Sequence, residues 1–166
     1  MFKRPIIVSP ENDTFEHAVR FCSRSISVKC QGEQLIRQKL VERGYSPQVI
    51  ERAIVFCRED GYLDDLRLAN IVAENLLSTG RGAGQMVRQK LQRLGVGAKE
   101  IDLALATQGT EIDIEGALAE KIASKYPGLD YKKSEKKELQ RVIGWAMRKG
   151  YSHSQVRVAI QAVRQD

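Results

Sequence analysis

An all-α protein made of tandem three-helix units is what the sequence predicts, and three observations carry that expectation. Apolar residues recur at spacings of three and four along nearly the whole 166-residue chain. No alternating β-branched run is long enough to read as a strand. The stretch IRQKLVERGYSPQVIERAI, residues 36–54, returns fifty-one positions later as VRQKLQRLGVGAKEIDLAL. The copies share Arg37/Arg88, Gln38/Gln89, Lys39/Lys90, Leu40/Leu91, Gly44/Gly95 and Ile50/Ile101, with apolar matches at Ile36/Val87 and Ala53/Ala104. Self-similarity at a fixed period of this size marks a repeat architecture, in which each unit leans on its neighbours.

After an N-terminal tail, residues 1–13, the first unit spans 14–58. Its first helix carries Phe15, Ala18, Val19, Cys22 and Ile26 on one face. The second presents Leu35, Ile36 and Leu40 and ends at Gly44, whose missing Cβ suits the left-handed conformation that closes a helix. The third opens with Ser46 as cap and Pro47 at the first helical position, where no backbone N–H is missed.

The second unit, 59–110, repeats the plan. Asp60-Gly61 breaks the preceding helix, and Asp64 caps the next because its carboxylate accepts orphan N–H groups and meets the positive end of the dipole. Leu63 and Leu68 stand at hydrophobic-staple positions, and Leu68, Val72 and Leu76, flanked by Ala69 and Ile71, continue the apolar face. The GRGAG segment interrupts it; a helix with Met86, Val87 and Leu91 runs to Gly95, and Ala98 to Leu105 supplies the third. The last unit, 111–166, is a divergent copy. Ile114, Leu118 and Ile122 mark a helix that stops before Pro127; Leu139, Val142, Ile143 and Ala146 mark one that ends at Gly150; Ser152 with Gln155 forms a capping-box pattern. The spacing from Gly95 to Gly150 is four residues longer than from Gly44 to Gly95, which the loop KYPGLDYKK accommodates. Units this small cannot bury a stable core alone, so they are expected to stack into an elongated, curved rod.

The net charge of +6 points to an acidic partner, nucleic acid above all. It is concentrated at the ends: the first unit has eight basic against four acidic residues, the second six against seven, the third eleven against eight. No run of about twenty apolar residues suggests a membrane span, and the first residues lack a secretory pattern, so a cytoplasmic protein is expected. Cys22, Cys30 and Cys57 match no CxxC pair and read as reduced thiols packed in helices.

Catalytic chemistry finds little support. Asp64 and Asp65 are neighbours on a helix, pointing about 100° apart, with no histidine or glutamate close in sequence to join them. Gly80, Gly82 and Gly84 do not form G-x-G-x-x-G and precede no G-K-[ST], so they read as a turn. His17 and His153 lack partners at useful spacing, and Trp145 in an amphipathic helix reads as a packing residue before a base-stacking one. The expectation is a non-enzyme with no cofactor and no metal.

Basic residues recur on the second helix of each unit: Arg37, Lys39 and Arg43; Arg88, Lys90 and Arg93; then Lys136, Lys137, Arg141, Arg148 and Lys149, with Lys132 and Lys133 leading in. A charge on a helix is ordinarily part of a solvated face. Repetition at equivalent positions argues for a stripe that follows a phosphate backbone or an acidic protein groove.

Taken together, GYLDDLRLANIVAENLL and GRGAGQMVRQKLQRLGV resemble the core signature of the RecX family. The matching residues are Gly61, Tyr62, Leu63, Asp64, Asp65 and Arg67, then Val87, Arg88, Gln89, Leu91 and Gly95, and the likeness covers nearly the whole chain. The resemblance implies three tandem three-helix repeats, with the signature residues structural. It also implies a non-enzymatic, monomeric regulator that lies in the groove of the RecA filament on single-stranded DNA and restrains strand exchange, ATP hydrolysis and the coprotease activity that triggers the SOS response. Weak contact with double-stranded DNA is compatible with that picture. The filament- and DNA-binding residues would be Arg37, Lys39, Arg43, Arg88, Lys90, Arg93, Lys132, Lys133, Lys136, Lys137, Arg148 and Lys149. A general nucleic-acid-binding helical module is the alternative, since helix-turn-helix units with glycine turns give a similar pattern.

Overall fold

The computed structural model describes residues 7–163; residues 1–6 of the expected tail and 164–166 at the end of the last unit lie outside the described residues. Among the described residues there are nine α-helices, one 3₁₀ turn at Pro10–Asn12 and no strand. The helices are α1 (Phe15–Val28), α2 (Glu33–Glu42), α3 (Pro47–Glu59), α4 (Asp65–Ser78), α5 (Gly84–Arg93), α6 (Ala98–Glu111), α7 (Ile114–Lys125), α8 (Lys136–Arg148) and α9 (His153–Ala162). The fold is therefore all-α, in three successive helix triplets.

Two compact units emerge from this chain. Of the described residues, one holds those up to Ala69 with Gln92–Ile101, the other Asn70–Leu91 with those from Asp102 onward, so the middle triplet contributes to both. In the first, α1 lies along α3, and α2 meets both. Its core joins Ala18 and Cys22 of α1, Ile36 and Leu40 of α2, Ile50, Ala53, Ile54 and Cys57 of α3, and Leu63. In the second, α7 lies along α9, which α8 also meets; Leu118, Ile122, Val142, Ala146, Val156 and Ile160 are buried there. Full burial of each such branched aliphatic side chain is worth about 1.5–3 kcal/mol, and the repeated positions Leu40 and Leu91 are both wholly buried.

The second helix of each triplet ends as the glycines require. Gly44, Gly95 and Gly150 have φ of 82°, 82° and 89°, in the left-handed region that a side chain disfavours. Two of these turns do more than stop a helix. The N–H groups of Gly32 and Gln34, at the start of α2, donate to the carbonyls of Leu94 (2.7 Å) and Gly95 (3.1 Å). Fifty-one residues after Gly32, the N–H of Ala83, ahead of α5, donates to Lys149 O at 2.9 Å. The second helices α2 and α5 thus each seat their first turn on the glycine turn that ends the next second helix.

Helix caps follow suit. Asp64 accepts from the Arg67 N–H (2.8 Å), and Ser152 and Gln155 form a complete capping box. Ser46 occupies the N-cap position of α3 as expected, but its hydroxyl makes no capping bond. Instead its own N–H donates to the Asp13 carboxylate at 3.0 Å, while Val8 N–H donates to Arg43 O at 2.7 Å, so residues 8–13 pack on the first triplet. Cys22 and Cys57 are buried, whereas Cys30 is exposed beyond the end of α1, outside any helix. The GRGAG segment forms the turn between α4 and α5, with Gly80 and Gly84 at φ of 62° and 44°.

Candidate nucleic-acid interface

Asp65, the second carboxylate of the signature, has a tertiary role that adjacency to Asp64 concealed. Its two oxygens accept from the Glu33 N–H (2.9 Å) and the Gly97 N–H (3.3 Å), at the N-termini of α2 and α6. Gly32, the N-cap of α2, has no side chain with which to cap. The first N–H groups of α2 are satisfied by Leu94 O, Asp65 and Gly95 O instead. Burial raises the Asp65 carboxyl above its usual value, against the lowering effect of those two N–H bonds. The signature carboxylates therefore satisfy the backbone N–H groups at three helix starts. Tyr62 is exposed and Leu63 is buried in the core.

Arg37 and Arg88 also find partners. Arg37 on α2 ion-pairs with Glu51 on α3 and, at 3.1 Å, with Glu33. Arg88 on α5 pairs at 2.6 Å with Asp102 on α6. Glu51 and Asp102 are themselves fifty-one residues apart, so the whole ion pair is repeated and ties the second helix of a triplet to its third. The charge of both arginines is therefore locally balanced.

Lys39 and Arg43 behave differently. They face a cleft of about 460 Å³ within the first compact unit, which Arg20, Arg24 and Lys29 also line, with His17, Phe21, Gln31 and Tyr45. Five cations meet there, and none of the described lining residues is acidic. Lys39 Nζ donates to Gln31 Oε1 at 2.6 Å, and the Arg43 guanidinium sits 4.3 Å from the Phe21 ring centroid. Tyr45 OH and His17 Nδ1 are 2.7 Å apart, so His17 is held by the fold and is not merely a surface residue. Burial pulls the Lys39 ammonium below its usual value, and Lys29 and Arg43 add to the effect. A positive cluster that disfavours its own charge is eased by an incoming anion.

Arg20, Arg24 and Lys29 escaped the sequence reading because it followed the second helix of each triplet. The signal that would have found them is the spacing of Arg20 and Arg24, four apart on α1 and on the side of the helix away from its apolar stripe. Lys90 and Arg93 on α5 are exposed. Lys132, Lys133, Lys136 and Lys137 are exposed around the start of α8, and Lys133 pairs with Asp130 at 3.5 Å. Lys136 and Lys137 stand in the first turn of α8, where positive charge opposes the helix dipole, so helix stability does not account for them. Arg148 is exposed at the last turn of α8, and Lys149 lines a second cleft, in the other compact unit, together with Trp145.

Comparison with known proteins places the chain in a family. Residues 116–160 match the family model described as RecX, third three-helix domain. The chain is 32% identical over 136 residues to the Regulatory protein RecX of Vibrio vulnificus, covering 81% of this chain and 85% of that one. It is 30% identical over 159 residues to the Regulatory protein RecX of Vibrio campbellii, covering 95% and 96%. In fold it is similar to the crystal structure of RecX from Lactobacillus salivarius, with a TM-score of 0.72 at 16% identity over 92% of this chain and 97% of that one. A chain with this helical repeat, this signature and relatives similar over nearly its full length belongs to the RecX family of regulatory proteins.

Proposed function

We propose that this protein binds the RecA filament on single-stranded DNA and inhibits its recombinase, ATPase and coprotease activities, so modulating DNA repair and the SOS response. The observation that carries the reading is the cleft of the first compact unit, where Arg20, Arg24, Lys29, Lys39 and Arg43 converge with no acidic lining residue among those described. Such a cluster suits closely spaced phosphates or an acidic protein surface, and the chain carries further exposed lysines around the start of α8 and has relatives named regulatory proteins. The action is that of a non-catalytic partner in the cytoplasm, working as a monomer.

The test uses the purified chain, its host recombinase and single-stranded DNA at substoichiometric ratio. ATP hydrolysis and strand exchange should fall, and Arg24→Glu with Lys29→Glu should relieve the inhibition by at least about tenfold in the concentration required. Unchanged ATPase and strand exchange in the presence of the unmodified chain would sink the proposal. Inhibition that vanishes when DNA is supplied in excess would favour the alternative of a general nucleic-acid-binding module.

A further inference from the structure

A second cleft, of about 560 Å³, lies wholly within the other compact unit, and its lining is chemically distinct. Lys121 and Lys125 reach it from the end of α7, Arg81 from the turn between α4 and α5, and Lys149 from just beyond α8. Trp145 of α8, the only tryptophan in the sequence, forms part of the wall with Met86. The Tyr126 ring meets the indole edge-on, with centroids 5.9 Å apart and planes at 73°. The Lys125 ammonium stands 5.6 Å from both ring centroids.

Packing holds these groups in place. A Cβ on Gly80 would lie 2.7 Å from Lys121 Cβ, so the turn that carries Arg81 is pressed against α7. Lys149 is anchored through its carbonyl, which accepts the Ala83 N–H. Unlike Arg37 and Arg88, none of the four cations has an ion-pair partner among the described residues, and no described acidic side chain lines the cleft. Four like charges gathered around one half-buried indole form an arrangement that core packing does not require.

We propose that this cleft is a nucleotide subsite for single-stranded DNA, with a base stacked against Trp145 and the flanking phosphates held by Arg81, Lys121, Lys125 and Lys149. An unpaired base offers its face to an indole, which a duplex base does not, and stacking of this kind tolerates any sequence. Lys125 is exposed and flexible enough to leave the indole face and take a phosphate oxygen as the base arrives. The inference deepens the proposed function, since it names where the DNA strand meets the second unit.

With one tryptophan, the intact chain reports on its own cleft. Titration with a short oligothymidylate should quench the Trp145 emission saturably and less strongly as salt rises, while inorganic phosphate at equal phosphate concentration leaves it unchanged. Lys121→Glu with Lys125→Glu should weaken the quenching midpoint at least about tenfold while helicity by circular dichroism is retained. Trp145→Ala, with helicity by circular dichroism retained, should lower oligothymidylate affinity, read by anisotropy of a labelled strand, by about tenfold, the loss of one stacked base. Oligothymidylate binding by anisotropy with no change in Trp145 emission overturns the subsite, as does quenching that the double reversal leaves intact. Quenching without inhibition of the recombinase overturns the filament reading and leaves the subsite standing.

Discussion

Replacing Gly95 by alanine should cost far more than replacing Gly44, although the two occupy equivalent turns and share a φ of 82°. Left-handed backbone alone penalises a side chain by about 1–2 kcal/mol, and that is nearly all Gly44→Ala meets, since its Cβ would approach only Ile7 Cγ2, at 3.3 Å. At Gly95 the Cβ would fall 2.5 Å from both Leu35 Cβ and Leu35 N, so the turn must move away from α2. Moving it breaks or stretches the Gly32-to-Leu94 and Gln34-to-Gly95 hydrogen bonds, each worth about 1 kcal/mol. The sum is about 3–4 kcal/mol for Gly95→Ala against 1–2 kcal/mol for Gly44→Ala. Gly150→Ala should resemble Gly95→Ala, because its Cβ would overlap the Ala83 carbonyl and lie 3.0 Å from Met86 N. Gly61→Ala, at φ of 75° with no described atom within 4 Å of its Cβ, isolates the backbone cost. Urea denaturation of the four variants measures the differences directly. Equal losses at Gly44, Gly95 and Gly150 would refute the view that the second and third turns are seats for a neighbouring helix.

Further outcomes follow from the same geometry. Asp65→Ala leaves the Glu33 and Gly97 N–H groups without their acceptor and should destabilise the chain by about 2–3 kcal/mol, with faster amide exchange at both positions read by NMR. Burial tends to raise the Glu33 carboxyl, but hydrogen bonds from Arg58 and Arg37 outweigh it and hold the group below its usual 4.5. The unfolded chain therefore binds that proton more readily, so this contribution is present above about pH 4.5 and disappears as pH falls through the lower folded value. Glu33→Gln should flatten the acid limb of a stability-versus-pH curve, and an unchanged limb would contradict the assignment. Arg88→Gln breaks a partly exposed ion pair and should cost under about 1 kcal/mol, with little effect on the salt dependence of single-stranded DNA binding. Lys39→Gln removes an unbalanced charge and should reduce that salt slope by close to one phosphate contact.

Much of this architecture was legible in the sequence because its causes are local. Helix periodicity, the glycine stops at 44, 95 and 150, the Asp64 cap and the Ser152 capping box each depend on residues within a turn or two of one another. The family signature was legible for a related reason: Asp64 and Asp65 stand together, although the work of Asp65 is done thirty-two residues away at Glu33 and Gly97. The basic surface was legible only as a list. Arg37 and Lys39 are two residues apart and looked alike, yet one is clamped by Glu51 and the other shares a cleft with Lys29 and Arg43. Trp145 read as a packing residue, and it is one on its Tyr126 side, while the cations around it come from α7, the GRGAG turn and the end of α8.

By itself, then, the sequence determined the helices, their order, their stops and their repeat, since backbone conformation and apolar period are set by near neighbours. The tertiary structure alone decided which charges are balanced and which are gathered. That outcome depends on what the packed helices bring within a few ångströms, where electrostatic energy changes steeply with distance and burial.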